Sequence, residues 1–83
     1  MEDIVVRLFY CMKEIFTAKD LGKIIQERRK EKKLTQKAVS DVTGLSTSFI
    51  SDVENGKETI EFSKVLILLK ILSMDLVIKN RGE

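Results

Sequence analysis

A chain of 83 residues, 43% hydrophobic and 34% charged, has room for one small domain whose own core leaves it marginally stable, so a partner is expected. It contains no histidine, and Cys11 is its single cysteine, which excludes a Cys/His zinc site, a disulfide framework, a Cys-His catalytic pair and most enzyme chemistry with them. No run of about 18 apolar residues is present, so no membrane-spanning helix is expected, and no metal or cofactor is implied. The lone cysteine and an acidic start, Glu2 and Asp3 in place of a basic leader, point to the reducing cytoplasm. Proline is absent, which lets helices run unbroken between glycines.

The net charge of +2 is unevenly spread. Residues 17–37 carry eight basic against three acidic groups, residues 38–57 one against three, and the two ends are near neutral. The densest positive run is Arg28, Arg29, Lys30, Lys32 and Lys33. Such a run is ordinarily a solvated helix face; a nucleic-acid footprint is the sharper reading.

Residues 1–16 form an apolar extension open to two readings. Ile4, Val6, Leu8 and Tyr10 alternate as a strand does, whereas Val5, Leu8, Phe9, Met12, Ile15 and Phe16 fit a helix nearly as well. The β-branched pair Val5-Val6 tilts the choice toward a strand. Met12 is an alternative start residue, which would make the first eleven dispensable.

Residues 17–73 read as a single helical unit. Thr17 with Asp20 three residues on caps a helix over about 18–32, with Leu21, Ile24, Ile25 and Arg28 at helical spacing. Thr35 caps a short second helix that turns Ala38, Val39 and Val42 inward and stops at Gly44. Ser46 caps a third, anchored by Phe49, Ile50 and Val53 and ended by Asn55-Gly56. Two short helices across a glycine turn make a helix-turn-helix. The fourth helix, from about Glu61 to Leu72 or Ser73, carries Phe62, Val65, Leu66, Ile67, Leu68, Leu69, Ile71 and Leu72 all round its axis. One small core cannot cover that surface. Two covers compete, the extension packing over the excess within the chain and burial in a dimer, and the dimer is the favoured reading.

Residues 74–83 are read as a dimerisation strand and tail. Met74, Leu76 and Ile78 alternate with Asp75, Val77 and Lys79, and a single strand needs a partner. A second copy, paired antiparallel across a two-fold axis, supplies one.

A DNA-reading helix turns one face to the core and short polar side chains to the bases. With Phe49, Ile50 and Val53 inward, the outward set is Thr47, Ser48, Ser51 and Asp52. Hydroxyls address several base edges, and a carboxylate repels phosphate but accepts from a cytosine amino group. The expected phosphate contacts are Gln36, Lys37, Ser46, Asn55 and Lys57, aided by helix N-terminal amides. Each also has an ordinary explanation, since Ser and Thr cap helices and Asn-Gly makes turns; the ordered set is what raises the reading.

The stretch from Leu34 to Lys57, with Leu34-Thr35-Gln36, the turn Gly44-Leu45-Ser46, Ile50-Ser51 and Glu54-Asn55-Gly56-Lys57, closely resembles the Xre-type, lambda-repressor-like helix-turn-helix family. The resemblance covers about residues 17–73. It implies an all-α domain of four to five helices that binds double-stranded operator DNA as a homodimer, here with a short C-terminal strand pairing across the dimer. By position it implies Gln36 and Asn55 at phosphates, Thr47, Ser48, Ser51 and Asp52 in the major groove, and a structural salt bridge between Glu54 and Arg29. Ser40 and Thr43 depart from the alanine and aliphatic residue the family prefers, and long recognition-helix glutamines and arginines are missing.

A narrower likeness, over Ile15–Leu21 and Leu72–Leu76, is to HipB-like antitoxins, in which a strand after the fourth helix forms an intersubunit lid. It implies a repressor of its own type II toxin-antitoxin operon that also binds a HipA-like toxin; lid strands occur in plain repressors too. The expected dimer contacts are Ile67, Ile71, Met74, Leu76 and Ile78. The function expected is a sequence-specific transcriptional repressor, not an enzyme. The alternatives are an interaction module that chiefly neutralises a toxin, a phage-type regulator, and a restriction-modification controller.

Overall fold

The computed structural model describes residues 13–82, and hydroxyl side chains start three of the four helices among them. Helix α1 spans Ala18–Glu31, α2 Gln36–Thr43, α3 Thr47–Glu54 and α4 Phe62–Ile71. Thr17 Oγ1 accepts from the Asp20 amide at 3.0 Å while Asp20 Oδ2 accepts from the Thr17 amide at 3.2 Å, a reciprocal capping box. Thr35 Oγ1 takes the Ala38 amide and Ser46 Oγ the Phe49 amide, each at 3.0 Å. A cap of this kind stabilises its helix by about 1 kcal/mol. Helix α4 starts at Glu61 without a side-chain cap, so packing must hold it.

The helix ends divide into two kinds. Gly44, at φ 78°, closes α2 in the left-handed conformation that only glycine adopts cheaply. At the ends of α1 and α4 the same region is occupied by Lys33 and Ser73, both at φ 57°. There the chain wraps back, with the Leu34 amide donating to the Arg29 carbonyl at 3.1 Å and the Met74 amide to the Leu69 carbonyl at 2.9 Å. Neither stop is marked by glycine.

Helix α3 packs across α1 and beside α2, and α4 packs on α2. Ile25 of α1, Val39 of α2, Leu45 of the turn, Ile50 and Val53 of α3, and Val65, Leu68, Leu69 and Leu72 of α4 form the core. Leu21, Leu34, Phe49, Ile60 and Met74 pack on its edge. Gly22 permits the α1–α3 approach. A methyl group at that position would overlap the Val53 carbonyl oxygen and come within 2.9 Å of the Glu54 carbonyl oxygen.

Two expectations change. Val42 does not point inward: it is 66% exposed, because α2 is too short to bury more than the stripe centred on Val39. Residues 74–80 carry no regular secondary structure, so the expected strand does not form within the described chain, where it finds no ladder partner. The domain is all-α with four helices among the described residues. The strand-or-helix choice for residues 1–16 lies mostly outside the described residues; 13–16 are irregular. No helix among the described residues is long and apolar enough to cross a membrane.

Candidate nucleic-acid interface

A buried ion pair holds α3 to α1. Arg29 Nε donates to Glu54 Oε2 at 2.6 Å and Arg29 Nη2 to Glu54 Oε1 at 2.9 Å, a bidentate contact with both side chains withdrawn from solvent. Arg29 Nη1 donates to the Leu34 carbonyl at 2.8 Å, tying in the α1–α2 connection. Gln36 Nε2 donates to Glu54 Oε1 at 3.1 Å. Burial by itself would push the Glu54 carboxyl up, but hydrogen bonds from Arg29 and Gln36 outweigh it and hold the group below the usual carboxylate range. The hydrogen bond to Glu54 holds the Arg29 guanidinium above its ordinary value. Both stay charged, and no described buried side-chain polar atom lacks a partner.

With Ile50, Val53 and Glu54 turned in, the opposite face of α3 is hydroxyl-rich. Thr47 and Ser48 are exposed, and Ser51 and Asp52 are half-buried. Ser51 Oγ accepts from Asn55 Nδ2 at 3.3 Å. Asp52 lies 3.5 Å from Lys57 Nζ, which offsets the repulsion a carboxylate would offer a phosphate. Around this face, Ser46 caps α3, Asn55 closes it in the open, and Lys37 at the start of α2 pairs with Asp41 at 2.5 Å. Such exposed pairs stabilise by at most about 1 kcal/mol and release their lysines readily.

The basic run splits. Arg29 is internal, and Arg28 Nε donates to the Leu72 carbonyl at 3.0 Å, capping the end of α4, with its Nη1 near Glu31 at 3.4 Å. Lys30, Lys32 and Lys33 remain in solvent. Arginine forks satisfy buried acceptors, whereas lysines keep their hydration.

Two residues with no assigned role brace the turn. Ser40 Oγ donates to the Leu45 carbonyl at 2.5 Å, and Thr43 Oγ1 donates to the Val39 carbonyl at 2.7 Å while accepting the Leu45 amide at 3.1 Å. These are the two positions at which the sequence departs from the family's apolar preference. Their hydroxyls take the backbone groups that the α2–α3 bend leaves free. The departure from pattern was the visible signal. Phe49, at the edge of the core, lies under Lys64 Nζ, 5.7 Å from its ring centroid.

Helix α4 leaves Phe62, Leu66, Ile67 and Ile71 exposed, and Leu76, Val77 and Ile78 after it are exposed too, Ile78 at 90%. Of the expected dimer contacts, Ile67, Ile71, Leu76 and Ile78 are therefore left exposed by the described residues, whereas Met74 is half-buried against the chain's own core.

The profile of a helix-turn-helix family, HTH_3, matches residues 25–78. The chain is 38% identical over 71 residues to an uncharacterized HTH-type transcriptional regulator, y4mF, of Sinorhizobium fredii, covering 86% of this chain and 93% of that protein. It is also 38% identical over 56 residues to the ImmF control region 10 kDa protein of Bacillus phage phi105, covering 64% of this chain and 62% of that one. Its fold superposes on a HipB-O4 20mer complex and on a chain of the HipA-HipB-O2-O3 complex, each with TM-score 0.78 and 17% identity, over 86% of this chain and 100% of that chain.

Proposed function

As a member of the Xre-type helix-turn-helix family of DNA-binding transcription regulators, the chain is, we propose, a sequence-specific repressor that occupies double-stranded operator DNA as a homodimer. The observation that carries this reading is the two-sidedness of α3. Its inner face is held by Ile50, Val53 and the Glu54–Arg29 pair, and its outer face offers Thr47, Ser48, Ser51 and Asp52 to base edges. Gln36, Lys37, Ser46, Asn55 and Lys57 flank that face and contact phosphates, which supply most of the affinity. Repression is by occlusion of a promoter in the cytoplasm.

Dimer formation buries Ile67, Ile71, Met74, Leu76 and Ile78, and residues 74–79 pair antiparallel with their copy across the two-fold axis. The uncovered apolar surface of α4 and Leu76–Ile78 supports this. A second reading, an antitoxin that also holds a HipA-like toxin, is supported by the fold shared with HipB, solved together with HipA.

A mobility-shift titration on the DNA upstream of the chain's own reading frame tests the repressor. Binding should weaken steeply with salt, the slope in log–log form growing by about 0.9 for each phosphate neutralised. Thr47→Ala, Ser48→Ala and Ser51→Ala should each weaken specific binding by about 1 to 3 kcal/mol for a good base contact, with the fold intact. Salt-insensitive or absent binding sinks the reading. Co-purification with the product of a neighbouring gene tests the antitoxin role.

A further inference from the structure

We propose that Glu54, pinned by Arg29, is a positioning residue for DNA backbone contact: it orients the side-chain amide of Gln36 before DNA arrives. The inference rests on the DNA-binding reading above. Glu54 Oε1 accepts from both Arg29 Nη2, at 2.9 Å, and Gln36 Nε2, at 3.1 Å. A carboxylate only accepts, so the nitrogen end of the Gln36 amide must face it. That spends one N–H and leaves the second to donate elsewhere.

A glutamine at the exposed start of a helix would ordinarily lose rotamer freedom on meeting a phosphate; Gln36 is half-buried and already held. Arg29 is needed for two reasons. Its guanidinium fork fixes the carboxylate from the other side, and its charge cancels that of Glu54, so the orienting group brings no net repulsion toward DNA. Arg29 Nη1 also grips the Leu34 carbonyl, two residues before Gln36, so α3, the connection and the start of α2 meet at one guanidinium.

The test is a double-mutant cycle on the full chain, using the duplex that the wild-type protein enriches from a randomised pool. Gln36→Ala should weaken wild-type binding about tenfold, as expected for a hydrogen bond to a charged group. In Glu54→Asp, which withdraws the carboxylate by one methylene but keeps its charge against Arg29, the same change should cost less than about twofold. The paired replacement Arg29→Met with Glu54→Leu should give the same result, and circular dichroism establishes which backgrounds are folded. Equal costs in wild type and a folded background overturn the inference while leaving DNA binding standing. Failure to enrich any duplex overturns both. A readout without DNA decides the matter even if neither background folds: ¹⁵N relaxation of the Gln36 side-chain amide should show a rigid group in the wild-type protein, and a freely mobile one overturns the proposal.

Discussion

Helices α3 and α4 are of similar length and meet solvent in opposite ways. Helix α3 buries Ile50 and Val53, half-buries Phe49 and turns hydroxyls outward. Helix α4 buries Val65, Leu68 and Leu69 and still leaves Phe62, Leu66, Ile67 and Ile71 in water. An exposed face of serine and threonine needs no cover and can exchange water for base edges, whereas an exposed face of leucine, isoleucine and phenylalanine gains from a protein surface at about 25 cal/mol for each Å² covered. One small domain thus carries a polar face on α3, proposed to meet nucleic acid, and an apolar face on α4, proposed to meet a second copy.

The sharpest way to break that contrast is to release α3 from the core. Glu54→Ala leaves Arg29 buried without its partner and should cost about 3–5 kcal/mol, read from urea or thermal unfolding. The same pair sets a pH dependence. Because the folded Glu54 carboxyl sits below its ordinary value, its contribution is fully present above the unfolded value of about 4.3 and is lost as pH falls through the lower folded value. Stability should fall on acidification in wild type, and this component should be missing in Glu54→Gln.

Next in size is Gly22→Ala. Overlap with the Val53 carbonyl should push α3 off α1 at a cost of about 1–3 kcal/mol, although alanine is otherwise the better helix former. An increase in melting temperature would refute the close approach. Ser40→Ala should cost about 1 kcal/mol by leaving the Leu45 carbonyl short of a donor, with α2 and α3 otherwise unchanged.

The smallest effect on the chain's own fold is expected on the α4 side. Leu76→Lys with Ile78→Lys touches no core residue and should change unfolding of the separated chain by no more than about 0.5 kcal/mol. Light scattering should nonetheless show the proposed dimer dissociating, and DNA affinity should fall with it. A variant that remains dimeric would place the interface elsewhere.

The local features of this fold were legible because their causes lie within three or four residues. Thr17, Thr35 and Ser46 each accept the amide three positions on, and Gly44 needs only its own φ. The same locality misled at Val42, where helical spacing suggests an inward side chain and a helix of eight residues has no core left to receive it. The ends of α1 and α4 were placed to within a residue or so, yet Lys33 and Ser73 turn there without the glycine that usually marks such a stop.

The polar face of α3 was likewise readable, since naming Phe49, Ile50 and Val53 as anchors leaves Thr47 and Ser48 exposed and Ser51 and Asp52 half-buried. What surrounds it was not. Ser40 and Thr43 read as tolerable departures in size, and only the bend of α2 against α3 supplies the unpaired backbone groups their hydroxyls take. Arg28 falls on the apolar spacing of α1 and Arg29 is the partner implied for Glu54, but that Arg28 turns to the Leu72 carbonyl depends on where α4 ends beside α1.

By itself the sequence determined the helices, their caps and which side of α3 is polar, because those depend on side-chain period and on hydrogen bonds between near neighbours. The Glu54–Arg29 pair, implied by the family resemblance, is present in the fold, and only the tertiary structure decided that Gly22 lets α1 touch α3, that Gln36 rests on Glu54, and that the described residues leave an apolar face of α4 exposed. Arg29 and Gln36 lie 25 and 18 residues from Glu54, and at that separation the direction in which a packed helix crosses its neighbour, not the order of residues along the chain, determines which groups meet.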